Sequence, residues 1–210
     1  MIDLIDKIHW LGHASFRIHH DSIIYIDPWN VASRAEEADL ILITHCHFDH
    51  LSHVDIDKIA TCRTTIATPI SCGKKLDHKT ITLRPGDRRI LGGVDVEALP
   101  AYNVSTGFHP RKNDWLGFLL HLPDGRVYIA GDTDLIPEMD DIRADIALLP
   151  IGGSFTMTAE EAVEAAVKVH ARIAVPMHWG HVVGVDDDAQ RFRDLASARG
   201  IEVRILDAER

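Results

Sequence analysis

Short apolar, β-branched runs recur along the chain, and several of them stop abruptly at a small group of His, Asp, Gly or Pro residues. Such a run predicts a buried strand that leads into a loop, and loops at strand ends commonly carry functional side chains. Four runs, residues 23–26, 40–43, 127–130 and 173–175, lead within a few residues to Asp27, His45, Asp132 and His178, respectively. The pattern therefore places chemically active side chains at four strand ends.

Helices are fewer and lie between strands or late in the chain. The clearest begins at Thr158, which forms a predicted capping box with Glu161 ahead of an apolar stripe that includes Ala162 and Ala166. Residues 187–198 form a second candidate with an acidic first turn, which suits the helix dipole. Turn sequences at 85–87, 92–93 and 123–125 separate short strands. The chain is predicted to be a β-rich α/β protein, with residues 1–210 forming one domain and helices outside layered sheets.

Composition excludes several classes of function. Hydrophobic residues make up 46% of the 210 residues and charged residues 26%, and no apolar run approaches the roughly 20 residues that cross a bilayer. The 22 Lys and Arg against 32 Asp and Glu give a formal charge of −10, which opposes general binding to nucleic acid. Three cysteines without CxxC spacing and an acidic start indicate neither a disulfide framework nor export. We expect a cytoplasmic protein without a membrane or nucleic-acid partner.

Histidine changes this picture, because the chain holds 14 of them and imidazole is a common ligand of transition metals. His45, His47, Asp49 and His50 place three imidazoles and a carboxylate within six residues, directly after a predicted buried strand. Packing gains nothing from such a cluster, so metal binding is the better explanation. A loop leaving a strand can direct His45 and His47 toward one ion and Asp49 and His50 toward another. Two ions sharing a water would lower the pKa of that water and produce a hydroxide for hydrolysis.

This segment, His45-Cys46-His47-Phe48-Asp49-His50, resembles the HxHxDH signature of the metallo-β-lactamase fold superfamily. The later groups arrive in the order typical of that superfamily, with Asp132 after the cluster and His178 near the end of the chain. The resemblance implies an αββα sandwich, in which two mixed β-sheets pack face to face with helices outside. It also implies that Asp132 bridges both ions, that His178 completes the second, and that Asp49 is both a ligand and the general base.

Within the superfamily, the chain is most similar to a small branch that includes L-ascorbate 6-phosphate lactonase and other metal-dependent hydrolases. Two further segments, residues 10–15 (Trp-Leu-Gly-His-Ala-Ser) and 149–153 (Leu-Pro-Ile-Gly-Gly), carry this narrower likeness. The glycines of these segments are either backbone requirements or part of a substrate site.

The chain departs from the family pattern at one position. Many members have a third histidine of the first metal site after a strand near mid-chain, whereas the matching segment here, residues 99–104, contains none. Three alternatives remain open: Asn103 offers its carbonyl oxygen, His109 reaches in from the loop beyond, or water fills the place.

Three further features have two interpretations each. Asp27 either orients a metal ligand by a hydrogen bond or initiates an Asp-Pro turn. His13 either binds substrate and moves protons as a catalytic residue or is structural. Arg111 and Lys112 either attract an anionic substrate or form an ordinary solvated charge pair.

Taken together, these patterns predict a hydrolase in which a metal-bridging hydroxide cleaves an ester, lactone, amide or phosphoester of a small molecule, which could be anionic. Mixed nitrogen and oxygen ligands favour two Zn²⁺ ions, with Mn²⁺ or Fe²⁺ as alternatives. A homo-oligomer is an open expectation. The competing hypothesis, motivated by the absent mid-chain histidine, is a metal-binding protein with a non-catalytic sensory or scaffolding role.

Overall fold

Residues 3–209 are described by a computed structural model. The predicted domain of residues 1–210 includes Met1, Ile2 and Arg210, which lie outside the described residues. The chain forms two mixed β-sheets, each with an antiparallel part and a parallel part.

The first sheet has six strands in the order of the chain: β1 (Ile8–Gly12), β2 (Ser15–His19), β3 (Ile23–Ile26), β4 (Leu40–Leu42), β5 (Thr65–Pro69) and β6 (Thr80–Leu83). The second has seven strands, also in chain order from one edge to the other: β7 (Arg88–Leu91), β8 (Val94–Pro100), β9 (Leu116–Leu122), β10 (Gly125–Ile129), β11 (Ile146–Pro150), β12 (Ile173–Met177) and β13 (Glu202–Val203). The helices are α1 (His53–Ile59), α2 (Ile70–Gly73), α3 (Ala159–Lys168) and α4 (Asp186–Ser197), with 3₁₀ turns at Leu4–Lys7, Arg111–Asn113 and Pro137–Asp141.

Strand β4 shows why the chain forms layers. Because successive side chains of a strand point to opposite faces, Leu40 and Leu42 join the main core between the sheets. Ile41 lies on the opposite face and packs in a separate core cluster with Ile56 and Ile59 of helix α1. A strand buried on both faces must be apolar throughout, as this run is. The predicted αββα sandwich is confirmed.

The predicted local elements are largely confirmed as well. Helix α3 begins after Thr158, whose hydroxyl accepts a hydrogen bond from the Glu161 backbone N–H while the Glu161 side chain accepts from the Thr158 N–H. Helix α4 spans Asp186–Ser197, one residue before the predicted range, with three acidic residues in its first turn. None of the helices in residues 3–209 is long and apolar enough to cross a lipid bilayer.

Sheet topology brings the functional loops to one edge of the sandwich. In the first sheet β3 and β4 are parallel, so the loops that begin at Asp27 and Thr44 leave at the same end. In the second sheet β10, β11 and β12 are parallel, and β8 runs in the same direction because both β8 and β10 are antiparallel to β9. Loops far apart in the sequence therefore meet at one edge, as expected for ligand sites in α/β proteins.

Candidate metal centre

The carboxylate of Asp132 lies at the centre of the loops at this edge. Its Oδ2 atom is 3.1 Å from the Nε2 atoms of both His109 and His178 and 3.7 Å from Nε2 of His45. Its Oδ1 atom is 3.4 Å from Nε2 of His50. Four imidazoles from three different loops thus direct the same ring nitrogen at one buried carboxylate.

The ligand-capable atoms around Asp132 fall into two groups, and within each group they lie within 4.8 Å of one another. The first group is His45, His47, His109 and Asp132, and the second is His13, Asp49, His50 and His178. The structure therefore brings together all six residues that the sequence predicts as ligands, together with His109, one of the alternatives for the first site, and His13, the candidate catalytic residue. The carboxylate of Asp132 lies between the two groups.

Several of these atoms are buried without a hydrogen-bond partner among the described residues: Nε2 of His50, His109 and His178, and Oδ1 of Asp132. A buried polar atom left without a partner costs roughly 1–3 kcal/mol, so a cluster of them needs an explanation. Cations placed among these lone pairs supply it, and nitrogen and carboxylate donors are ordinary ligands of divalent transition metals. The residues present fit two divalent ions.

The electrostatics of Asp132, His45 and His47 favour metal ligation. Burial raises the pKa of Asp132, but the positive potential of His178 and His50 outweighs this effect and holds the pKa well below the usual range. Burial also lowers the pKa of His45 and of His47. The carboxylate is therefore ionised and these two imidazoles are neutral, the states in which they bind cations.

His109 lies in the first ligand group, and hydrogen bonds to Asn103 hold it there. The Asn103 Nδ2 group donates to Asp134 Oδ1 at 2.7 Å and to the Phe155 carbonyl at 2.9 Å, so its Oδ1 atom must be an acceptor. That oxygen accepts from the His109 backbone N–H at 2.8 Å and from Nδ1–H at 3.0 Å. The proton is thereby held on Nδ1, and Nε2 presents its lone pair toward Asp132. Of the three alternatives left open, the structure places His109 in the ligand group and directs the Asn103 oxygen to His109 instead.

Asp27 orients two other imidazoles through hydrogen bonds, directly to His50 and through Thr44 to His45. Its Oδ2 atom accepts from His50 Nδ1 at 2.7 Å and from the Thr44 hydroxyl at 2.5 Å, and its Oδ1 atom accepts from the Thr44 backbone N–H at 2.7 Å. Because the Thr44 hydroxyl donates to Asp27, it is free to accept from Nδ1–H of His45 at 3.0 Å. Both rings are held with Nε2 facing the cluster. Of the two interpretations of Asp27, these hydrogen bonds support the one in which it orients a ligand.

His13 is fully buried, and its Nε2 atom is 2.9 Å from Asp49 Oδ2. Burial lowers the pKa of His13 to about 4, against the raising effect of Asp49, so the ring is neutral at pH 7. Its carbonyl accepts from the Trp10 indole at 2.9 Å and from the His178 backbone N–H at 2.9 Å. The N-terminal segment therefore ties a neutral imidazole to Asp49 and to the loop of a second ligand.

Three residues of the site have a positive φ, namely His13 at 53°, Asp27 at 43° and His178 at 59°. Left-handed backbone at residues other than glycine costs of order 1–3 kcal/mol and tends to cluster at functional sites. The hydrogen bonds described for these residues hold the backbone in this conformation.

Gly152 is needed for close packing against the His178 loop. A Cβ atom at position 152 would lie 2.5 Å from the His178 carbonyl oxygen and 2.6 Å from a methyl group of Val183. Of the two interpretations of the segment 149–153, the structure supports the backbone requirement.

Two further residues lie near the ligand loops. Trp115 packs in a core cluster, and the centroid of its ring lies 4.8 Å and 4.9 Å from those of the His45 and His47 rings. Arg111 donates to Glu138 at 2.8 Å and lies over the Tyr102 ring, away from the metal cluster. Packing of an aromatic ring on imidazoles leaves no local signal in the sequence, so the contact of Trp115 with the two histidine rings is seen only in the structure.

The sequence of this chain is similar to those of known proteins over most of its length. A profile of the beta-lactamase superfamily domain matches residues 7–178. UPF0173 metal-dependent hydrolases from Archaeoglobus fulgidus and Pyrococcus horikoshii are 33% and 34% identical; the alignments cover 95% of this chain in both cases, and 94% and 96% of the relatives.

Solved structures are similar over the same length. One from Parabacteroides distasonis is 36% identical with a TM-score of 0.87, over 96% of this chain and 93% of the other. Igni18, described as a metallo hydrolase from Ignicoccus hospitalis, is 25% identical with a TM-score of 0.79, over 97% and 95%. The narrower likeness to L-ascorbate 6-phosphate lactonase stays a prediction. On the profile match and the full-length relatives, the chain belongs to the beta-lactamase superfamily and is a homologue of the UPF0173 metal-dependent hydrolases.

Proposed function

We propose that the protein is a hydrolase that uses two divalent metal ions to cleave an ester, lactone, amide or phosphoester of a small molecule. One observation carries the proposal: four imidazole nitrogens from three loops converge, without hydrogen-bond partners for most of them, on the buried carboxylate of Asp132. The homologues named metal-dependent hydrolase support the same class of activity.

The two groups of ligand atoms indicate which residues would bind each ion. His45, His47 and His109 would hold the first ion, and Asp49, His50 and His178 the second, with Asp132 shared between them. The donor set contains nitrogen and carboxylate oxygen but no thiolate, which favours Zn²⁺ over Mn²⁺ or Fe²⁺. When bound, such ions lower the pKa of a coordinated water and stabilise negative charge that develops on the substrate.

Asp49 and His13 have separate roles in this proposal, one accepting a proton and the other positioning the acceptor. Asp49 lines the cavity above the cluster, where its carboxylate can take a proton from the attacking water. Burial alone would raise the pKa of Asp49, but the hydrogen bond with His13 and the charge of His50 lower it, so the carboxylate is ionised. His13 donates from Nε2 and is not among the residues that line the cavity, so we assign it the role of positioning Asp49.

Metal content and hydrolysis, measured on the same preparations, test the proposal. Wild-type protein should hold two Zn²⁺ per chain by elemental analysis and hydrolyse members of a panel of esters, lactones, amides and phosphodiesters. Asp132→Ala should lose tight binding of both ions, and activity should fall by more than about 100-fold because the shared ligand is gone. His121→Ala removes an imidazole that faces Glu97 on the second sheet, outside the cluster, and serves as the control.

Two ions and full activity in Asp132→Ala would contradict the proposed centre. Wild-type protein with two ions and no activity on any class of the panel would instead favour the non-catalytic alternative. The absent mid-chain histidine motivated this alternative, and the presence of His109 in the first ligand group argues against it.

A further inference from the structure

A cavity of about 300 Å³ opens directly above the cluster of ligand side chains around Asp132. Its floor is formed by five ligand residues of the cluster, and its walls by Phe48, Phe108, Phe155 and Val182. This volume is at the small end of the usual range for ligand sites. The part of a substrate remote from the bond that reacts must therefore contact these walls.

The walls are apolar side chains left open to solvent. Phe48 is 71% exposed and Phe108 is 50% exposed. The Phe108 and Phe155 rings meet edge to face with centroids 4.7 Å apart, which gives this wall a defined shape. Large apolar side chains grouped at a concave site, in contrast to single ones scattered over the surface, mark a surface that binds an apolar group.

The walls also lack positive charge. None of the nine residues that line the cavity, within the described part of the chain, is Lys or Arg. Arg111 is paired with Glu138 and lines a different cavity. An anionic group on the remote part of a substrate would be desolvated between phenyl rings without an ion-pair partner, which is costly. The formal charge of −10 exceeds the charge of +4 that two divalent ions would add, so the protein still repels anions at long range.

We infer that the substrate is an uncharged ester, lactone or amide with an aromatic or branched aliphatic group that packs between Phe48, Phe108 and Phe155. The inference rests on the proposed hydrolytic function of the same site. It selects neutral, apolar small molecules over the anionic ones that Arg111 and Lys112 suggest from sequence.

A binding measurement tests the apolar site without relying on catalysis. The neutral fluorophore N-phenyl-1-naphthylamine should bind metal-free and zinc-loaded protein, and Phe48→Ala and Phe108→Ala should each weaken binding by about tenfold through lost apolar contact. Phe48→Leu keeps an apolar wall and should retain most of the affinity. Ile90→Ala truncates an equally exposed side chain on β7, far from the cavity lining, and should leave binding unchanged.

A kinetic comparison tests substrate choice with methanol as a common leaving group. For the zinc-loaded wild type, kcat/KM for methyl phenylacetate should exceed that for monomethyl succinate by about 100-fold, because only the second has a remote carboxylate to desolvate. Phe48→Ala should reduce the preference for methyl phenylacetate over methyl acetate, with zinc content and circular dichroism measured to show an intact fold and centre.

The outcomes separate the two proposals. Equal rates on all three esters by wild-type protein would overturn the inference while the hydrolytic function stands. No hydrolysis of these esters or of any other class in the panel described above, with fluorophore binding that Phe48→Ala still weakens, would contradict the hydrolytic function and support the apolar ligand site. Fluorophore binding that neither phenylalanine variant changes would overturn the inference.

Discussion

Replacing Asn103 with alanine tests how the first metal site is built. The substitution removes an acceptor for two His109 donors and a donor to Asp134 and to the Phe155 carbonyl. The His109 backbone N–H is buried and loses its acceptor, and the His109 ring loses the group that holds the proton on Nδ1. We therefore expect the substitution to destabilise the loop between β8 and β9 and to disorder the orientation of the His109 ring.

The expected magnitudes follow from these contacts. A buried N–H without an acceptor costs about 1–3 kcal/mol, and with the other lost hydrogen bonds we expect Asn103→Ala to lower the free energy of unfolding by about 2–4 kcal/mol. Removing the partner of a metal-ligating histidine typically lowers metal affinity by about 10- to 100-fold, which corresponds to about 1.4–2.7 kcal/mol. This loss should fall on the first site, because none of the residues of the second group contacts Asn103 through a hydrogen bond among the described residues.

Zn²⁺ titration against a competing chelator, with the two binding steps resolved, measures this difference. Asn113→Ala is a matched control, since the Asn113 side chain forms no hydrogen bond within residues 3–209. If Asn103→Ala stays folded and binds both ions within threefold of the wild-type affinities, the assignment of His109 and its support by Asn103 is refuted.

Three further predictions concern other parts of the structure. Gly152→Ala should weaken the second zinc site by at least about tenfold in the same titration, because a Cβ atom would lie 2.5 Å from the His178 carbonyl; unchanged affinity would contradict this packing. Asp27→Asn should weaken zinc binding by about 10- to 100-fold, because an amide cannot accept from all the donors that the carboxylate accepts, and wild-type affinity would contradict its orienting role on His50. Asp55 accepts hydrogen bonds from two backbone N–H groups and two side chains, and although burial opposes it, these hydrogen bonds lower the pKa of Asp55. The stability that Asp55 adds over Asp55→Asn, measured by urea unfolding, should therefore be present above the unfolded pKa of about 3.9 and be lost as the pH falls through the lower folded pKa.

Much of the fold follows from local patterns. A strand buried on both faces has to be apolar throughout, so the run that forms β4 is visible without any structure. The capping box at Thr158 places the start of α3 because both of its hydrogen bonds join residues three apart. The ligand loop from His45 to His50 is equally local, since four ligand-type side chains in six residues have no use in packing.

The completion of the site depends on tertiary structure. Both Asn103 and His109 lie on the loop between β8 and β9, and only the path of that loop decides which of them faces Asp132 and which holds the other in place. Sequence distance carries no information on that path, because the position of a loop is set by the strands on either side and by long-range hydrogen bonds such as the one to Asp134.

The character of the cavity is decided in the same way. Phe48, Phe108 and Val182 come from three loops, and none of them is part of a local pattern that predicts a wall. Arg111 follows Phe108 closely in sequence, yet its pairing with Glu138 directs its charge away from the cavity. The sequence by itself determined the elements, the layers and the local ligand loop, because these depend on neighbouring residues. Only the tertiary structure decided the third imidazole of the first site and the apolar, uncharged walls, because these depend on which distant loops the parallel strands bring to one edge.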